Sequence, residues 1–199
     1  MATVIGHALA AMAAEGAVGG EARRPRALLA GAVLAMLPDL DVPAAIALKH
    51  FGLMLPHRGF THSLLFGIFL ALLLWLAFFR ARSPRALAGL GLASLCHPLL
   101  DFLMACGPPV PLFRPFSSQG FLSPVQLIPT AYFARSIPGL LHVLALPETW
   151  KGIALETLIF LPLLLAGREQ PTKAILFRIS CAGLSLAGLF LTCLLYRHG

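Results

Sequence analysis

Charge is what this sequence has least of. Asp, Glu, Lys and Arg make up 12% of its 199 residues, about half the share of an ordinary soluble domain, which excludes a conventional water-exposed surface. Eight residues are acidic, few enough that each needs its own explanation. Motif-spaced cysteines are lacking too. Cys96, Cys106, Cys181 and Cys193 stand singly in or beside apolar segments without a CxxC spacing; this argues against a disulfide framework or thiolate metal site and leaves them as small apolar residues. The net charge is +7, yet the arginines are spread between apolar segments, so nucleic acid is not an expected partner. Membrane orientation and anionic lipid account for them better. There is no internal repeat, and residues 2–14 lack the basic start and cleavage site of a secretory signal, so they are expected to stay in the mature protein.

What is abundant is apolar. Hydrophobic residues are 58% of the chain and the mean hydropathy is +0.85. The expected fold is all-α: a single domain over 1–199, built as a polytopic membrane helical bundle with four or five hydrophobic segments and a proline- and aromatic-rich interfacial loop. Residues 2–14 form a short apolar helix, and 15–27, "EGAVGGEARRPRA", read as a connection. Residues 27–48 are long enough to span but are broken by Pro38, Asp39, Asp41 and Pro43, predicting a helix that ends inside protein or at the interface. The runs 61–79 and 86–106 are the cleanest spans, with Thr61 or Ser63 as cap of the first. Residues 107–150 carry Pro108, Pro109, Pro111, Pro115, Pro124 and Pro129 with Phe113, Phe116 and Phe121 between them, the composition of an ordered loop at the bilayer surface. Segments 152–166 and 174–196 complete the set.

Basic residues orient this map. Arg23, Arg24 and Arg26, then Arg80, Arg82 and Arg85, then Arg168 and Lys173 occupy three short connections. If each segment from 27 to 166 crosses, these fall on one side, the cytoplasmic one. His7, Asp39, Asp41, His57, His62, His97, Asp101 and Glu156 all fall toward the opposite end. His50, His142 and His198 read as interfacial anchors.

The types and spacings point to metal chemistry. His97 and Asp101 are four apart, so a helix presents both to one point. "LPDLD" places two carboxylates at a proline-broken helix end, and oxygen donors beside imidazoles suit zinc first, with manganese or iron as alternatives. His57 and His62 flank Gly59, where the chain can turn; Arg58 between them suits a phosphate or carboxylate. The competing reading is that these groups pair with arginines or with one another as helix glue. Glu156 is either a ligand or half of a salt bridge, and His7 either a ligand or an anchor.

"IGHALA" at 5–10, "LPDLD" at 37–41, "HRGFTHS" at 57–63, "HPLLD" at 97–101 and "GPPVPLFRPFS" at 107–117 resemble, in this order, the YdjM-like family of bacterial and archaeal inner-membrane proteins. These are described from their motifs as LexA-regulated metal-dependent hydrolases, distantly similar to the zinc-dependent phospholipase C and single-strand nuclease superfamily. The resemblance implies His7, Asp39, Asp41, His57, His62, His97 and Asp101 as the ligand set, with Val42 standing where relatives often carry a histidine. Gly152 stands where the distant superfamily has the histidine that accompanies a glutamate such as Glu156.

The sequence thus leads to a membrane-bound hydrolase in the cytoplasmic membrane, its site facing the non-cytoplasmic side. Asp39 or Asp41 is the expected general base or metal bridge and Arg58 the phosphate holder, acting on a lipid or phosphoester substrate. A transporter or ion path built on the same residues needs polar residues continuing to the cytoplasmic side, and 64–79 and 86–93 are almost wholly apolar. A scaffold with a structural metal is the third reading. Oligomeric state is not legible.

Overall fold

The computed structural model describes residues 2–49, 51–52, 57–79, 83–104, 107–129, 132, 134, 136–168 and 175–196. His50, Arg80, Arg82, Cys106, Lys173 and His198 lie outside them. The described residues form eight α-helices: α1 (Val4–Val18), α2 (Pro25–Met36), α3 (Asp41–Lys49), α4 (Leu64–Phe79), α5 (Pro84–Leu103), α6 (Ile137–Ala145), α7 (Pro147–Arg168) and α8 (Ile175–Leu195). An isolated bridge between Val110 and Phe121 is their only β pairing.

Local sequence explains the helix starts. Thr3 caps α1, its hydroxyl accepting from the Gly6 N–H at 3.0 Å. Ser63 accepts from Phe66 N–H at 3.2 Å ahead of α4, and Ser83 and Ser136 cap α5 and α6 in the same way. Pro25, Pro84 and Pro147 each occupy the first helical position, where a missing N–H is harmless and the fixed φ already suits a helix. This corrects the reading of 107–150 as loop throughout. Residues 107–129 are irregular, but Pro138 and Pro147 lie in the opening turns of α6 and α7 rather than interrupting them, so the segment read as 152–166 is a helix of 22 residues.

Among the described residues, four helices are long and apolar enough to cross a membrane: Pro25–Leu48, Pro84–Leu103, Pro147–Gly167 and Phe177–Leu195. The first contains the break expected at "LPDLD", a 3-10 turn over Leu37–Leu40 between α2 and α3. At 15 and 16 residues, α1 and α4 are about 22–24 Å long at 1.5 Å per residue, shorter than a hydrocarbon core of roughly 30 Å. The large apolar side chains left on the surface, Phe69, Leu76, Leu161, Leu186 and Phe190 among them, suit lipid rather than water.

The short α1 lies at the centre, packed against α2, α5 and α7. Direction follows from paired positions. Thr3 meets Glu156 and Gly16 approaches Gly167, so α1 and α7 run parallel; Glu15 meets Gly31 and Gly89, and His7 meets Asp39 and His97, so α2 and α5 run antiparallel to α1. Small residues allow this approach. Ala11, Ala35 and Ala93 form a fully buried layer where α1, α2 and α5 meet. The basic connections containing Arg23, Arg24, Arg26 and Arg85 therefore gather at one end of the bundle, and His7, Asp39, His97 and Asp101 at the other.

Glu15 departs from the sequence reading. Assigned to a connection, it is instead inside α1 and fully buried, and neither carboxylate oxygen has a hydrogen-bond partner. Two glycines make its room: a Cβ at Gly31 would collide with the Glu15 carboxylate and lie 3.1 Å from Ala93 Cβ, and one at Gly89 would lie 2.8 Å from Glu15 Cγ. Overpacking of this kind costs about 1–3 kcal/mol. Gly31→Ala is expected to destabilise the protein by about that amount in detergent unfolding experiments. In a Glu15→Ala background the loss should shrink by at least half, because the two sites share one space; an undiminished loss would mean that Ala93 alone sets the limit.

Candidate metal centre

The proline-broken end of α2 does the first part of the assembly. Pro38 turns the chain from α-helix into 3-10 geometry, which aims the Asp39 side chain inward, with 6% of it exposed, and frees carbonyls in the last turn of α2. One of these, Ala35 O, accepts a hydrogen bond from His97 Nδ1 at 2.7 Å. That contact fixes the imidazole tautomer and leaves Nε2 of His97 facing the interior with a lone pair. One turn further along α5, Asp101 is fully buried on the same face, as the HxxxD spacing requires.

The turn over residues 57–62 supplies the next wall. Arg58 has φ 60°, a left-handed conformation uncommon for a residue with a Cβ. It is held there at both ends: its N–H donates to Asp41 Oδ2 at 3.2 Å, its Nε lies 3.2 Å from Asp101 Oδ2, and its Nη1 donates to the carbonyl oxygen of Pro108. His57 Nδ1 pairs with Asp41 Oδ1 at 3.0 Å. His62 is fully buried, with Nδ1 3.1 Å from the Thr61 hydroxyl. Burial, outweighing Asp101 and Asp41 nearby, lowers the His62 pKa to about 4, so the ring is neutral and Nε2 carries a lone pair at neutral pH.

From α1, His7 enters the same space and stacks on His97 with ring centroids 4.0 Å apart. Its Nε2 lies 3.8 Å from Asp39 Oδ2 and 3.7 Å from Asp101 Oδ1. His62 Nε2 lies 3.6 Å from Asp39 Oδ1 and 3.7 Å from Asp101 Oδ2; His97 Nε2 lies 3.8 Å from Asp39 Oδ1 and 4.0 Å from Asp101 Oδ2. These separations exceed a hydrogen bond. They approach the roughly 3.4 Å between two donors that share a tetrahedral ion at about 2.1 Å each.

Among the described residues, three groups of donors are close enough to hold an ion: Asp39, Asp41, His57 and His62; His7, Asp39 and His97; and His62, His97 and Asp101. In the second and third groups the inward atoms have no close hydrogen-bond donor or acceptor apart from the Arg58 Nε beside Asp101. Both nitrogens of His7, both oxygens of Asp39 and of Asp101, and Nε2 of His62 and His97 are buried without a hydrogen-bond partner. Orphaned buried polar atoms are rare singly, and so many facing one point fit a divalent cation. With neutral imidazoles, the three aspartates and Arg58 leave two negative charges, which one divalent cation balances.

All seven residues of the set implied by the resemblance meet here. Glu156 does not join them. Its carboxylate accepts from Thr3 N–H at 2.8 Å and from the Thr3 hydroxyl, and a side chain at Gly6 would collide with it, so it ties α7 to the start of the helix that carries His7. Arg58 is likewise placed otherwise than expected, its guanidinium turned onto Asp101 and Pro108 with 5% of the residue exposed. Sequence reading missed Thr3 and the Ala35 carbonyl. Thr3 was detectable as a helix cap, and the carbonyl only through the break that Pro38 imposes. His142, expected as an anchor, lies on exposed α6.

Comparison with known proteins now has a geometry to join. No solved structure matches the chain. The inner membrane protein YbcI of Escherichia coli strain K12 is 39% identical over 139 residues, covering 68% of this chain and 80% of that protein. The family described as YdjM inner membrane protein matches residues 1–173, a span that takes in every donor of the cluster. This chain is a multi-pass inner-membrane protein and belongs to the YdjM inner membrane protein family.

Proposed function

We propose that this protein is a membrane-embedded metal-dependent hydrolase acting on a phosphoester or lipid-linked substrate at the non-cytoplasmic face. The observation that carries the reading is the convergence of orphaned imidazole and carboxylate atoms 3.6–4.0 Å apart at one buried point. His7, Asp39, His62, His97 and Asp101 would hold the ion or ions, with Asp39 shared by two of the donor groups. Mixed imidazole and carboxylate donors favour zinc, with manganese or iron next. A divalent ion there supplies Lewis acidity and a water made acidic enough to attack at neutral pH.

The chain's own residues divide the remaining work. Asp41 and His57, with side chains 9% and 10% exposed, are the most open members of the cluster, so water and substrate enter past them. Asp41 Oδ1 and His57 Nδ1 form a pair suited to taking a proton from an incoming water. Arg58 acts as a strut: it fixes Asp101 on one side and the start of the 107–129 loop, through Pro108, on the other. That loop exposes Phe113 and Phe116, which suits a substrate delivered from a bilayer surface.

The alanine layer of Ala11, Ala35 and Ala93 supports hydrolysis over transport, because it separates the donor cluster from Glu15, the buried carboxylate nearer the basic end. Basic connections at the end away from the cluster support a site that faces outward.

Detergent-purified protein is expected to carry at least one equivalent of zinc or manganese by inductively coupled plasma mass spectrometry. His97→Ala and Asp101→Ala should lose it. Glu156→Gln should keep it, since Glu156 contacts Thr3 and not the donors. Wild type without metal after reconstitution would end the hydrolase reading. Given a loaded protein, Asp41→Asn should retain metal while lowering hydrolysis of lipid phosphoesters by about 10²–10⁴-fold, the range for losing a general base; unchanged turnover would remove Asp41 from that role.

A further inference from the structure

His7, Ala11 and Glu15 stand four residues apart and so share one face of α1. Asp39, Ala35 and Gly31 step back by the same interval along α2 and its 3-10 end, and His97, Ala93 and Gly89 do so along α5. Because α2 and α5 run against α1, the three series stack as layers. Metal-centre donors form the first, with His7 beside Asp39 and His97. Ala11, Ala35 and Ala93 form the second. Glu15 between Gly31 and Gly89 forms the third, about 12 Å along α1 from the first at 1.5 Å per residue.

The Glu15 side chain is fully buried in this third layer, and neither of its oxygens has a partner. Gly31, Gly89 and Ala93 wall its space. Ala22, also fully buried, closes it toward the basic connection, where a Cβ at Gly89 would lie 2.8 Å from Ala22 Cβ. Charged groups on the neighbouring elements are directed elsewhere. Arg23 donates through Nε to Gly16 O at 2.8 Å, Glu21 pairs with Arg24 and Arg26, Arg26 also lies over the Phe79 ring, and Arg85 runs along Gly20. On α7, which approaches α1 at Gly16, Arg168 is the last residue; Glu169 and Lys173 follow it in sequence, outside the described residues.

Packing alone would not select a carboxyl here. An apolar side chain of similar size fills the same space without desolvating a polar group, so the property that glutamate adds is a proton that can come and go. In an apolar cage without a cation the un-ionised acid is the form that fits, and the carboxylate is driven toward water.

We propose that Glu15 is a proton-binding site whose proton locks the seam of α1, α2 and α5 at the basic end of the bundle: un-ionised, the side chain fills the glycine pocket; ionised, it forces the seam open. The site shares no residue with the donor cluster and does not rest on the hydrolase reading. The donor layer is built on the same three helices, so the lock holds its scaffold from the far end. A carboxyl exposed by opening ionises at about pH 4.3. Above that pH, closing the seam takes up one proton, so closure weakens about tenfold for each pH unit. The dependence levels off once the buried group itself ionises.

The test compares full-length wild type with Glu15→Gln in lipid nanodiscs. At neutral pH, infrared difference spectra are expected to show in wild type the carbonyl stretch of an un-ionised carboxylic acid that the variant lacks. Hydrogen exchange is read by mass spectrometry and corrected for the intrinsic rate at each pH. Protection of residues 13–18 and 86–93 is expected to fall about tenfold per pH unit from about pH 5 upward in wild type, and to stay level in Glu15→Gln. Equal infrared spectra overturn the proposal, and so does a pH profile of protection that both proteins share. Should Glu15→Gln fail to fold, Glu15→Ala replaces it in both comparisons. Wild-type protection that does not vary with pH overturns the proposal without either variant.

Discussion

Carboxylates removed from water must be compensated, and in this bundle that requirement fixes which helices meet. Asp39 and Asp101 are 6% and 0% exposed in a protein whose outer surface is set against hydrocarbon. Isolated charges there cost several kcal/mol each. Compensation is drawn from three separate stretches: His7 from α1, His57, Arg58 and His62 from the turn before α4, and His97 from α5. The antiparallel placement of α2 and α5 on α1 brings residues 7, 39, 97 and 101 to one level. Much of the structure at this end acts as support for that meeting. Ala35 fixes one imidazole, Arg58 fixes Asp101, and Glu156 holds Thr3 and with it the start of α1.

Close approach is the second constraint, and it is met by omission of side chains. Gly31 and Gly89 open a space for Glu15, Gly6 for Glu156, and Gly67 approaches the carbonyl of Ser94. That carbonyl has no helical donor because Pro98 follows His97 within α5. Alanine stripes do similar work on both sides of α1. Toward α2 and α5 they close into a dry layer; on the opposite side they leave a trough. One helix of 15 residues, poor in large side chains, thereby serves as the common wall of two unlike features.

The sequence made legible what depends on hydropathy, on proline and on the spacing of ionisable residues. The long apolar runs, the break at "LPDLD" and the common end of His7, Asp39, Asp41, His57, His62, His97 and Asp101 all came from such signals. Prolines were harder, because the same residue interrupts a helix or begins one according to its position. Pro138 and Pro147 belong to a proline-rich stretch that reads as loop, yet they open α6 and α7. Glu15 was assigned to a connection because its neighbours are glycine and alanine, and the glycines that receive it belong to distant helices. Arg58 illustrates a third limit. Its type marks it for an anion, but whether that anion is a substrate phosphate or the carboxylate of Asp101 depends on where a strained turn points the side chain.

The weight of helix glue against metal chemistry is best judged inside the same molecule. Glu156 is what a carboxylate used as glue looks like in this fold: fully buried, it accepts a backbone N–H at 2.8 Å and a hydroxyl from one residue, Thr3. Asp39 and Asp101 are also withdrawn from water, yet of their four oxygens only Asp101 Oδ2 has a close partner, Arg58 Nε at 3.2 Å, and the nearest imidazole nitrogens stop at 3.6–4.0 Å. Glue would draw donors and acceptors about 0.8 Å closer, to ordinary hydrogen-bond length. Glu15 also lacks partners, but it stands alone, its oxygens facing glycine and alanine rather than other donors. What sets the cluster apart is convergence: lone pairs from five side chains directed at one point repel one another unless something positive lies between them. A cation shared by those donors would meet that condition better than the guanidinium of Arg58, which is turned to one edge of Asp101.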